Sequence, residues 1–256
     1  MITTLDLNSD MGERELQEGL GLDAALMPLL TAVNIACGGH AGSPELMRRT
    51  GRLAAQHGLA IGAHPGFPDR EQFGRIERRM ASEDLEALIV DQVETLIEAL
   101  TEEGLTLTHV KPHGALYGMA AREPDIAQIV VKAVQAIDRH LVLYALAGSV
   151  LANAGQAAGM TVMQEAFADR AYRADGSLVS RGEKGAVLDR PDAVRHQLHQ
   201  LLAGNVTAID GTLVPVQADT LCLHSDTPHA LALARIVRQE LTAAGVAIAA
   251  PRSHHA

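Results

Sequence analysis

The feature that most constrains this chain is a repeated alternation of short and long patterns. Short β-like runs recur at Thr3–Asn8, Ala32–Ala36, Leu59–Ala63, Thr108–Lys111, Leu141–Ala145, Met160–Glu165 and Thr220–Leu223. Stretches with helical spacing lie between them. Ser43-Pro44-Glu45 opens one helix with a cap and a proline in the first turn. Ser82-Glu83-Asp84-Leu85 opens a long one reaching about Glu103, with Leu85, Leu88, Ile89, Val93, Leu96, Ile97 and Leu100 at helical spacing. Glu123-Pro124-Asp125 opens a third, and Asp189 to Leu202 and Thr227 to Ala244 complete the set. Strands separated by helices need crossover connections, so the seven strands are expected to run parallel. Right-handed crossovers then allow an open doubly wound sheet or a closed barrel. Val206 to Pro215 departs from the pattern: Asp210-Gly211 is a hairpin signal between apolar runs and predicts a small antiparallel excursion.

Composition narrows the function classes. At 256 residues and 47% apolar, the chain can form one large α/β domain, expected over residues 1–250 with a frayed tail at 251–256. No run of ~18 apolar residues occurs, which excludes a helical membrane span. A net charge of −10 argues against nucleic acid as a partner. Cys37 and Cys222 cannot build a disulfide framework, and Met1 to Asp10 carries no export signal, so a cytoplasmic location is expected. The sequence lacks a phosphate-binding Gly-x-x-x-x-Gly-Lys motif, His-Glu-x-x-His and Gly-x-Ser-x-Gly. Gly19-Leu20-Gly21-Leu22 imitates a dinucleotide fingerprint but follows a charged stretch and is set aside.

The polar residues fall where parallel α/β folds carry their chemistry. In Leu5-Asp6-Leu7-Asn8-Ser9-Asp10, period two puts Asp6, Asn8 and Asp10 on one face and Leu5 and Leu7 on the other. Buried polar groups cost desolvation unless something binds them. The event repeats: Asn34 precedes Cys37-Gly38-Gly39-His40, and His64, Lys111 with His113, Glu165 with Asp169 and Arg170, and His224 with Asp226 follow other strands. Six strands thus end in polar groups at their C-terminal side, where active sites of such folds lie. Arg75 and Arg170 are candidates to hold an anion; Arg78, Arg79 and Arg122 read as surface residues. His57, His140, His196 and His199 read as solvated helix faces, and the two cysteines as packing residues. Lys111 shares an inward face with His109 and His113 and must find an anion there, with Asp10, Glu165 or a ligand as the suppliers.

Several strings resemble the LamB/YcsF family. They are Asp6-Leu7-Asn8-Ser9-Asp10-Met11-Gly12-Glu13, Asn34-Ile35-Ala36-Cys37-Gly38-Gly39-His40-Ala41-Gly42, Gly62-Ala63-His64-Pro65-Gly66-Phe67-Pro68-Asp69, Val110-Lys111-Pro112-His113-Gly114-Ala115-Leu116-Tyr117 and Glu165-Ala166-Phe167-Ala168-Asp169-Arg170-Ala171-Tyr172. The resemblance runs in order from Leu5 to Leu241. It departs at Ser225, where glycine is usual, at Gly118, where asparagine is usual, and in the looser stretch from Phe73 to Met80.

The resemblance implies an irregular seven-stranded β/α TIM-like barrel, akin to polysaccharide deacetylase barrels. It implies the A subunit of an ATP-dependent 5-oxoprolinase, which opens 5-oxo-L-proline to L-glutamate with B and C subunits; Mg2+ would accompany ATP. Within that frame Asp10, His64, Lys111, His113 and Glu165 are the candidate catalytic residues. Asp10 or Glu165 would activate water, His64 or His113 would carry a proton to nitrogen, and Lys111 with Arg170 would neutralise phosphate charge. Asn8, Asn34, His40, Arg75, Asp169, Arg170, His224 and Asp226 are candidate substrate-binding residues. A bound transition metal is left open, with Asp10, His40 and His64 as ligand candidates. Two rival readings stand beside this one: a metal-dependent amide or acetyl hydrolase without ATP, and a non-catalytic substrate-binding subunit. Homo-oligomerisation is left open. Replacing Lys111 by Met is expected to lower turnover with little change in melting temperature if Lys111 is functional, and to lower the melting temperature with activity retained if it is a structural ion pair.

Overall fold

The structure is a computed structural model that describes residues 2–14, 18–225 and 229–250. The helix start expected at Thr227-Pro228, the site role expected of Asp226 and the tail at 251–256 lie outside the described residues.

Seven parallel strands close into a barrel: β1 (Thr4–Met11), β2 (Ala32–Ala36), β3 (Ala60–His64), β4 (His109–Val110), β5 (Val142–Leu146), β6 (Val162–Phe167) and β9 (Thr220–Cys222). They neighbour one another in that order, and β9 returns to β1 with Asp6 beside Thr220 and Asn8 beside Cys222. Of the two architectures the alternation allowed, this pairing selects the closed one. A further strand, β10 (Ala247–Ile248), adds to β1 near its start; at two residues it is too short to show a period. The expected hairpin is present as β7 (Asn205–Thr207) and β8 (Leu213–Pro215), paired antiparallel.

Helices wrap the outside. They are α1 (Glu18–Leu26), α2 (Pro44–Gln56), α3 (Ser82–Thr101), α4 (Gly114–Arg122), α5 (Pro124–Ile137), α6 (Val150–Ala157), α7 (Pro191–Leu202) and α8 (Ala230–Ala243). Ser43 caps α2 by accepting from the Leu46 amide, and Pro44 takes the first turn where its missing N–H costs nothing. Ser82 is the first residue of α3 and not its cap, and the helix stops at Thr101, two residues short of the expected end. Its Leu85, Ile89, Val93, Leu96 and Leu100 are buried, each worth about 1.5–3 kcal/mol of apolar burial. The described part of α8 begins at Ala230, after His229 in a left-handed conformation. Periodicity does not reveal α1, α4 and α6, which have eight or nine residues each and too few turns to show it. No helix among the described residues is long and apolar enough to cross a membrane.

On β1, Leu5 and Leu7 join the core beneath the helices, while Asp6, Asn8 and Asp10 point into the barrel. The barrel interior is therefore a column of polar side chains, where such barrels usually carry layers of branched apolar ones. Gly62 makes room for it: a β-carbon there would lie 2.1 Å from His109 Nε2. The space at this glycine goes to a ring of the protein itself and not to a ligand.

Candidate active site

The lower column is uncharged at its contacts. Asp6 accepts hydrogen bonds from Thr31 Oγ1 (2.6 Å), Tyr144 Oη (2.9 Å) and Thr220 Oγ1. Burial raises its carboxyl to about 6, against the opposing effect of these hydroxyls. Above it, Asn8 Nδ2 donates to Thr220 Oγ1 (2.7 Å) and Glu165 Oε1 (3.0 Å), and Asn34 Nδ2 donates to Asn8 Oδ1 and Asp10 Oδ1, both at 2.8 Å. Asn34 Oδ1 is thereby left to accept from His109 Nε2 at 2.8 Å. Burial pushes His109 down to about 3, so it is neutral.

The upper column is ionic. Lys111 Nζ lies 3.0 Å from Asp10 Oδ1 and 2.9 Å from Glu165 Oε1, with Cys222 Sγ at 3.1 Å. Burial disfavours both charges, but His64 and Lys111 hold Asp10 well below the usual carboxylate range, and Asp10 and Glu165 hold Lys111 well above the usual amine range. Glu165 also accepts from Tyr117 Oη at 2.7 Å and has no exposed surface.

Beside this pair the chain turns at Gly12, whose φ of +69° suits a residue without a side chain. The turn is held by the Gly12 amide donating to Asp23 Oδ2 and carries Glu13 toward three histidines. His40 Nε2 lies 3.1 Å and His113 Nδ1 3.5 Å from Glu13 Oε1; His64 Nε2 lies 3.0 Å from His113 Nδ1 and 3.2 Å from Asp10 Oδ2. His40 and His113 stack face to face, 3.5 Å between ring centres. Burial lowers the basicity of both, His40 to about 2, so neither carries a charge of its own. The ligand atoms of Glu13, His40, His64 and His113 all lie within 4.8 Å of one another. The metal candidates read from the sequence are thus regrouped: Asp10 sits beside the cluster paired with Lys111, and Glu13 and His113 take its place.

These groups open onto a cavity of about 430 Å³. Of the candidates, Asp10, His64, Arg75, Lys111, His113, Arg170 and His224 line it. Asn8, Asn34, His40, Glu165 and Asp169 stand behind the wall, buried and hydrogen-bonded to neighbours, and so would reach a ligand only through other residues. Asp169 holds His224 Nδ1 at 3.0 Å, and the His224 ring stacks on Phe167. Arg170 lines the cavity but donates Nη2 to Val179 O (2.6 Å) and Nε to Ala186 O (3.3 Å), which fastens the loop above it. The mouth carries the arginines Arg75, Arg122, Arg170 and Arg181 and the glutamate Glu77. Arg75 lies over the Phe73 ring, while Arg78 pairs with Asp69 and Arg79 with Glu123 away from the cavity. Arg122, read from sequence as a surface residue, is half exposed, paired with Glu77 and still part of the wall. Glu13, Arg181 and Tyr117 do not stand out in the sequence. Glu13 and Tyr117 lie inside the family-like strings, but only the Gly12 turn and the start of α4 aim them inward. An adjoining hollow of about 520 Å³ shares Tyr117, Arg122 and Leu178.

A sequence model described as the LamB/YcsF family matches residues 5–256. A Methylococcus capsulatus protein, named as the A subunit of 5-oxoprolinase, is 46% identical over 98% of this chain and 96% of its own. A Geobacillus kaustophilus protein of the same name is 47% identical, covering 97% of each. The crystal structure of a lactam utilization protein from Thermus thermophilus superposes with a TM-score of 0.88 at 42% identity, covering 97% of this chain and all of that one.

Proposed function

The chain belongs to the LamB/YcsF family, and from that premise we propose that it is the A subunit of an ATP-dependent 5-oxoprolinase, opening 5-oxo-L-proline to L-glutamate together with B and C subunits. The names of its relatives support the subunit role, and the name of the Thermus structure supports a lactam as substrate. The observation that carries the reading is the charge layout of the cavity. Its floor holds Asp10, Glu13 and Lys111, and its mouth holds Arg75, Arg122, Arg170 and Arg181 with Glu77, which pairs with Arg122. A small lactam with a carboxylate fits that layout: a guanidinium grips the carboxylate, and the amide reaches the floor.

ATP, when bound, would supply a phosphoryl group that activates the lactam oxygen; one water would add to the carbonyl carbon as the C–N bond breaks, and a second would release the phosphoryl group as inorganic phosphate. The chain's groups for phosphate are the mouth guanidiniums, and the adjoining hollow gives room for it. Mg2+ prefers oxygen ligands and would enter with the phosphates; the imidazole-rich floor is not an oxygen cage. The residues then divide the remaining work. Lys111 neutralises negative charge developing on the carbonyl oxygen. Asp10, ionised and facing the cavity, takes a proton from water. Asp10, once protonated, gives that proton to the departing nitrogen. Glu165 acts through Lys111 as a positioning residue, because its oxygens are taken by Lys111, Asn8 and Tyr117.

Glutamate formation from 5-oxoproline and ATP tests the reading, with the chain alone and then with its B and C subunits. No measurable turnover alone and ATP-coupled turnover by the full set are expected. Glutamate release by the single chain would overturn the partner dependence. Inactivity of the full set on 5-oxoproline would overturn the substrate.

A further inference from the structure

We infer that Glu13, His40, His64 and His113 bind one divalent first-row transition-metal ion of the zinc, iron or cobalt kind at the cavity floor. The inference does not rest on the lactam reading, since it concerns what the chain binds and not what it turns over.

The tautomers carry the argument. His64 Nδ1 lies 2.7 Å from the Lys111 carbonyl oxygen, and His113 Nε2 lies 2.8 Å from the Phe73 carbonyl oxygen. A carbonyl can only accept, so both of these nitrogens carry hydrogen. While both rings are neutral, the other two, His64 Nε2 and His113 Nδ1, face each other as bare lone pairs 3.0 Å apart. Two lone pairs repel at that distance unless a cation lies between them. A proton on His64 Nε2 would serve His113 Nδ1 and Asp10 Oδ2, 3.2 Å away, and would leave Glu13 and His40 outside the arrangement. A metal ion would also serve Glu13 Oε1, which is 3.5 Å from His113 Nδ1 and 4.0 Å from His64 Nε2, and His40 Nε2, which is 3.1 Å from Glu13 Oε1.

Donor atoms that share a tetrahedral ion at ~2.1 Å are roughly 3.4 Å from one another, close to the spacings here. Three imidazoles and one carboxylate select a borderline transition metal over Mg2+ or Ca2+. The carbonyls of Lys111 and Phe73 are the outer partners that orient metal-binding histidines. One adjustment is required. The His40 ring is stacked parallel on His113, so the two cannot aim at one point in both ring planes, and one must tilt on binding. Glu13, His64 and His113 all line the cavity, so the ion would face it.

The full chain, without an affinity tag that binds metal, is purified and its metal content measured by mass spectrometry. Chelator-stripped protein is then titrated with Co2+ and followed by absorbance, with folding checked by circular dichroism. One equivalent per chain is expected, without thiolate charge-transfer absorption. Glu13→Gln and His113→Gln are expected to weaken binding by about 100-fold or more, while Cys222→Ser leaves it unchanged. Absence of stoichiometric binding by the folded wild-type chain in excess Co2+ or Zn2+ would overturn the inference. A thiolate band or loss of binding in Cys222→Ser would also do so, because it would move the ion to the neighbouring Asp10, Cys222 and His224 group. The wild-type spectrum decides even if a variant does not fold.

Discussion

Asp6 and Asp10 lie on the same face of the same strand, four residues apart, and both are buried. They behave in opposite ways. Asp6 has three hydroxyl partners and a carboxyl raised to about 6 by burial. Asp10 suffers the same burial but has Lys111 and His64 beside it, and it is held well below the usual range. Hydroxyl hydrogen bonds do not replace the hydration of a buried charge, whereas a cation at 3.0 Å does. The lower barrel holds one carboxyl among uncharged donors, and the upper barrel pairs its charges beside an open cavity.

The comparison breaks most visibly at Lys111. Lys111→Met leaves Asp10 and Glu165 buried without their cation, at a cost of about 3–5 kcal/mol. A melting temperature lower by roughly 10 °C or more is expected in calorimetry. Of the two outcomes expected from sequence, enclosure of the ammonium by two carboxylates of the protein itself favours the lowered melting temperature. Adding Glu165→Gln should recover part of the loss without restoring turnover. An unchanged melting temperature in the single variant would remove the ion pair from the account.

Asp6→Asn sharpens the other side. A folded value of about 6 against an ordinary 3.8 means the folded state holds its proton longer. Stability therefore falls as pH rises from about 4 to 6, and the whole penalty is present above 6. The shift corresponds to at most about 3 kcal/mol, and a mismatched hydrogen bond takes back about 1. Urea midpoints at pH 4.5 and 7.5 should show the variant more stable at the higher pH and a flatter dependence between them. Asp10 has the reverse sign: its contribution is present above the ordinary value and lost as pH falls through the depressed one. A variant destabilised equally at both pH values would contradict the assignment of Asp6. The smallest effect is at Tyr144→Phe, which removes one hydroxyl from Asp6 and should cost about 1 kcal/mol in the same titration.

Much of this contrast is legible in the residues. Period two on β1 separates Leu5 and Leu7 from Asp6, Asn8 and Asp10, and the strand-end polar groups gather at one rim. Period cannot distinguish the bottom of a barrel from its top. Asp6 and Asp10 look alike in sequence, and only the register against β9 and β2 gives one Thr220 and the other Asn34 as neighbour. Glu13 is hidden because Gly12 breaks the period at the point where the chain turns inward. Arg122 is hidden because nothing local tells a helix residue facing solvent from one facing a cavity mouth. Arg75 stands out from Arg78 and Arg79 only once the cavity lining is in view.

The central claim is that the ion-paired upper barrel, and not the lower one around Asp6, performs the chemistry. It is tested most directly by the kcat for ATP-coupled glutamate formation in the complex assembled with B and C subunits, below the shifted melting point. Wild type, Lys111→Met and Asp6→Asn are to be compared side by side. The account predicts a fall of roughly two orders of magnitude or more for Lys111→Met, the scale of one transition-state charge contact, and a near-normal rate for Asp6→Asn. A near-normal rate for Lys111→Met, or an equal fall in both variants, would contradict it.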